Sequence, residues 1–137
     1  MSNRLKYEIY ASDGSLIDSD IINSISKPLE AFAKVDWQKQ LNEEIKLGQT
    51  GDLDWPAHIA LSDDKENYLR IEPSPYGLGG SLQRCEASFK FGFIPEKKIA
   101  QTDFSDLKLD QADKLIRHFV LGNFEELLDI LTKETPS

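Results

Sequence analysis

The 137 residues predict an α+β domain: an antiparallel sheet of five or six strands with about three helices packed on one face. Three observations carry this. Apolar residues alternate with polar ones in several short runs joined by turn residues, which favours hairpin-connected strands. Two amphipathic stripes follow one another at the C-terminus. Finally, the length suits one domain, 1–137, with no repeat, low-complexity tract or linker to divide it.

The elements follow in chain order. Leu5, Tyr7, Ile9 and Ala11, with Lys6 and Glu8 between, read as a half-buried strand. Asp13-Gly14 is a hairpin turn, since both residues tolerate positive φ, and a second strand is expected from Ser15 to Ile22. Pro28 suits the first turn of a helix, and Glu30 suits the positive end of its dipole. Phe32, Trp37, Leu41 and Ile45 are expected on one face of that helix, with a kink between Phe32 and Trp37. Gly48 is the expected stop, and Gln49 to Pro56 the following loop.

Ile59 and Leu61 mark a short strand, residues 63–67 a polar turn, and Tyr68 to Glu72 the return strand, stopped by Pro73 and Pro75. Tyr76 to Gly80 is read as a loop. Cys85, Ala87, Phe89, Phe91 and Phe93 alternate with polar or small residues, the clearest strand of all. A turn at Pro95-Glu96 and a return strand from Lys97 to Thr102 are expected. Asp110 is the expected cap of a helix carrying Leu115, Ile116, Phe119 and Val120, which Gly122 ends. Asn123 and Glu126 have capping-box spacing ahead of Phe124, Leu127, Leu128 and Leu131. Phe89, Phe91, Phe119 and Leu127 are the expected core, and Cys85 an inert buried thiol.

Charge and cysteine count limit the function. Sixteen bases against 24 acids leave a net charge of -8, which repels nucleic-acid phosphates and anionic membranes. If charge serves binding, the partner is a basic protein. One cysteine allows no internal disulfide, and no apolar run reads as a membrane span or signal peptide, so the cytoplasm is the expected compartment.

No chemistry-bearing motif is complete. Gly77, Gly79 and Gly80 lack the Lys and helix start of a phosphate loop. Asp63, Asp64 and Glu66 fall short of a calcium loop, and no zinc set exists, so neither metal nor cofactor is expected. His58 beside Asp52 and Asp54 could form a base–carboxylate pair, or Cys85 a nucleophile with His58. A small hydrolase or transferase is therefore one alternative, and a small-ligand regulatory module near Tyr76 to Ser81 another. The acids are unevenly placed. From Asn42 to Glu66, seven of them (Glu43, Glu44, Asp52, Asp54, Asp63, Asp64, Glu66) face Lys46 and Lys65, a net of -5. Within this stretch Trp55 stands beside Asp52 and Asp54, the pattern of an aromatic anchor ringed by charge, and Tyr76 is a second candidate anchor.

In size, acidity, α+β pattern and lack of a catalytic motif, the chain resembles the small immunity proteins of bacterial toxin systems. The resemblance implies an inhibitor that occludes a cognate, basic toxin domain. Glu43, Glu44, Asp52, Asp54, Trp55 and Tyr76 are the partner-binding residues to examine first.

Overall fold

A computed structural model describes residues 5–12, 14–50, 57–74 and 77–134. The strands are β1 (Lys6–Tyr10), β2 (Leu16–Ile21), β3 (His58–Ser62), β4 (Tyr68–Ser74), β5 (Gly77–Lys90) and β6 (Ile94–Leu107). The helices are α1 (Ser26–Lys34), α2 (Trp37–Thr50), α3 (Leu109–Leu121) and α4 (Phe124–Glu134). The strands form one sheet in the order β2-β1-β3-β4-β5-β6, antiparallel at every step.

Alternation in the sequence sets the register. Tyr7 lies opposite Leu61, Leu61 opposite Leu69, and Leu69 opposite Leu82. Ile9 likewise meets Ile59, and Ile59 meets Ile71. Because the side-chain period is two, these rows share one face. All are buried, against Leu115, Ile116 and Phe119 of α3 and Leu127 and Leu131 of α4. The other face carries Lys6, Glu8 and Tyr10 of β1 and Tyr68, Arg70 and Glu72 of β4, all half-buried except exposed Lys6.

Several expectations are corrected. The kinked helix is two helices. Val35 is extended (ψ 132°), and Asp36 Oδ1 accepts the Lys39 N–H at 3.1 Å, so Asp36 caps a new helix. The β-branched Val35 and the capping Asp36 together favour a break over a bend. Gly48 does not stop α2, which runs on to Thr50, and Ile45 points out, 48% exposed.

Pro73 does not stop β4 either, for it pairs with Leu78. Gly77 to Gly80 are strand, not loop. At Gly80 (φ 153°) a Cβ would collide with the Arg70 carbonyl oxygen, and at Gly77 (φ 136°) it would lie 2.8 Å from that of Leu107. These glycines let neighbouring backbones approach closely, a use sequence alone does not separate from flexibility.

The clearest strand ends earlier than its alternation suggests. Phe91 (φ 55°) and Gly92 (φ 81°) turn the chain, not Pro95-Glu96. Pairing of β4 with β5 stops at Gln83, so residues 84–100 project as a two-stranded arm. Phe91 and Phe93 are therefore not core but 76% and 74% exposed. Of Phe89 only the strand position is described. Phe119 and Leu127 are core, at 1% and 0%.

Asp110 lies in the first turn of α3, and the cap is Lys108, whose N–H donates to Gln111 Oε1 at 2.7 Å. Gly122 ends α3 in the left-handed region (φ 76°), and the Asn123 N–H reaches His118 O at 2.9 Å.

Candidate functional site

The break between α1 and α2 shapes one end of the molecule. It turns Trp37 inward against Phe32, ring centroids 5.3 Å apart, and the indole N–H donates to Phe32 O at 3.1 Å. The indole's one polar group is thereby satisfied, leaving an apolar wall. Leu41, one turn on, extends this wall, and Leu78 and Leu107 bring the sheet's end towards it. Between them and the start of α3 lies an open cleft of about 740 Å³.

The rim has one sign of charge. Among the described lining residues the only charged ones are Asp36, Asp110 and Asp113. Asp113 is held by Arg117 at 2.7 Å, one helical turn along α3. Asp36 and Asp110 are exposed, as is Leu109 beside them at 63%. An apolar floor, an exposed leucine and a carboxylate rim can take an apolar anchor flanked by Lys or Arg.

Of the expected partner-binding residues, Glu43 and Glu44 are described. Glu43 accepts the Ser12 hydroxyl at 3.0 Å, and Gln40 Oε1 accepts the Ser12 N–H at 3.0 Å, so α2 is tied to the β1–β2 turn. Glu44 is buried at 8%, and its carboxylate takes the Ala57 N–H. It anchors the entry to β3 and offers no exposed surface. Asp52, Asp54, Trp55 and Tyr76 lie outside the described residues. The cleft's own acids were not singled out from sequence, although Asp36-Trp37 and Leu109-Asp110 show the same juxtaposition of acid and anchor as Asp54-Trp55.

Burial pushes the Glu44 carboxyl above its usual range, opposed by the Ala57 N–H and aided by the charge of Glu72. A carboxyl raised by folding lowers stability as pH rises from its ordinary 4.5 through the folded value. Glu44→Gln keeps an acceptor for Ala57 and removes the charge, so it is expected to match or exceed the wild type in thermal melts at neutral pH. It should also flatten the fall in stability that begins at pH 4.5 and ends at the folded value. Glu44→Ala orphans the N–H and is expected to cost about 1–3 kcal/mol.

His58 and Cys85, the candidate nucleophilic pair, do not meet; Asp52 and Asp54, the candidate partners of His58, lie outside the described residues. His58 is buried at 5% and stacks on Tyr10, centroids 5.1 Å apart. His58 opens β3, four residues before Ser62, which pairs with Tyr68 and through it with Gln83. Cys85 lies two residues past Gln83, which separates the pair by about 20 Å along the strands. Cys85 is half-buried rather than buried, and its thiol reaches Glu66 Oε2 at 3.4 Å. Among the described residues no three His, Cys, Asp or Glu side chains gather to hold a metal ion, and no helix is long and apolar enough to cross a membrane. Comparison with family models, curated proteins and solved structures finds no match.

Proposed function

We propose that this chain is an immunity-type inhibitor that binds and neutralises a cognate toxin domain, using the cleft at the α1–α2 break. The observation that carries the reading is the composition of the cleft: an apolar floor whose only charged lining residues, among those described, are aspartates. The net charge of -8 extends that field over the molecule. A basic partner would gain association rate from the field and residence time from an apolar anchor seated against Trp37 and Leu109. Asp52, Asp54 and Trp55 follow α2 in the chain and belong to the same proposal as a second acidic contact.

The test is a search for a basic toxin domain encoded beside this gene, followed by binding kinetics with it. Asp36→Asn keeps the cap of α2 and, combined with Asp110→Lys, is expected to slow association tenfold or more at low salt. The difference should shrink as salt is added. Leu109→Ser is expected to speed dissociation with little effect on association. Folded variants that bind and protect as well as wild type would remove the cleft from the interface. A wild type that binds no neighbouring toxin domain would end the inhibitor reading.

A further inference from the structure

We propose that the outer edge of β6, with the β5–β6 arm, is a self-association surface that pairs with β6 of a second copy. Strand β6 is a sheet edge of 14 residues, so its outward N–H and C=O groups face no other strand of the sheet. Exposed apolar side chains surround it: Phe91 at 76%, Phe93 at 74%, Ile94 at 43% and Ile99 at 60%.

The occupant follows from self-complementarity. Two antiparallel copies of one strand are related by a twofold axis, and opposed residues must share a face. Centring the axis on Ala100 sets Ile99 against Gln101, Lys98 against Thr102, and Lys97 against Asp103 of the second copy. Symmetry makes the base–acid pair twice. Moving the centre to Ile99 loses both pairs, and moving it to Gln101 sets Glu96 against Asp106 instead. The other edge, β2, does not offer this. Its charged residues are Asp18 and Asp20, both acids, which would oppose one another. The arm from Arg84 to Lys98 holds four bases and two acids, so its local charge is +2 on a chain of -8. It therefore favours the acidic body of another copy.

The same register explains the exposed phenylalanines. Phe93 and Leu107 stand equally far from Ala100 in the chain, so the arm's tip reaches the β6–α3 junction of the second copy. There Leu109 is 63% exposed, so the arm of a second copy and an anchor in the cleft compete for it. Aromatic side chains cover about 150–250 Å² each, so the two tips together bury roughly 600 Å² or more. The paired strands bring the interface into the range of about 1,200–2,000 Å² typical of stable complexes.

The full chain is the material for the test. Sedimentation from about 1 to about 100 µM should show a species of twice the chain's 15.5 kDa, dissociating on dilution. Phe91→Ser with Phe93→Ser lies in an exposed turn and should stay folded by circular dichroism while dissociation rises on the order of a hundredfold. Lys97→Asp and Asp103→Lys should each weaken the dimer, and the two together should restore it. Ala100→Cys, with Cys85→Ser, should cross-link copies on mild oxidation, because directly opposed residues lie within disulfide reach. A 15.5 kDa species at every concentration overturns the proposal. So does a dimer that survives the phenylalanine changes and does not cross-link at position 100.

Discussion

Gly80→Ala is expected to prevent the native sheet from forming. The added Cβ would overlap the carbonyl oxygen of Arg70, and the ring of Phe104 lies 3.1 Å from it. The obstacle is backbone in a central strand pair, so no rotamer change relieves it. The φ of 153° adds strain for any L-residue. A cost above about 5 kcal/mol matches the whole stability of many domains of this size. The expected result is a chain without a cooperative melt, or one melting about 20 °C or more below wild type. Gly48→Ala is the internal control. Gly48 lies inside α2 with nothing within 4 Å of the added atom. Ala there should raise stability by about 0.5–1 kcal/mol. Equal effects of the two changes would refute the close approach at Gly80.

Both glycines were misread from sequence, for the same reason. Gly48 follows an amphipathic stripe and Gly80 follows Pro73 and Pro75, so each looks like punctuation. Propensity is local, whereas the need for Gly80 arises from Arg70 on the adjacent strand. The alternating runs were more legible, because a period of two identifies a buried face before any partner is known. Leu5 to Ala11, Ile59 to Leu61 and Tyr68 to Glu72 hold β1, β3 and β4 to within a residue or two at each end. The C-terminal stripes became α3 and α4, with the stop at Gly122 as expected.

The candidate site was less legible, since it depends on elements far apart in the chain. Asp36, Leu78 and Asp110 converge only because the α1–α2 break, the β4–β5 end and the start of α3 meet in space. An acid's sequence neighbours do not say whether it faces a partner. Glu43 and Glu44 sit in the acidic stretch as Asp52 and Asp54 do, yet one holds Ser12 and the other holds Ala57. A hydrogen bond to the backbone of another element is invisible to charge counting.

The phenylalanines give the sharpest contrast between pattern and place. Phe91 and Phe119 both continue an apolar period and both read as core. Phe119 is 1% exposed on α3 and meets the Phe124 ring edge-on, centroids 5.7 Å apart. Phe91 lies in the arm's turn beyond the reach of β4. Phe119→Ala should remove the transfer energy of a whole ring and leave a cavity lined by Leu and Ile that the helices close only partly. The expected cost is about 3–5 kcal/mol. It should appear in urea titrations as a lower midpoint at unchanged slope. Phe91→Ala opens no cavity within one copy and should change the stability of the isolated chain by less than about 0.5 kcal/mol. Both are read at a protein concentration low enough that self-association makes no contribution. A loss from Phe91→Ala as large as that from Phe119→Ala would place the arm's tip in the core and return β5 to the long buried strand its alternation describes.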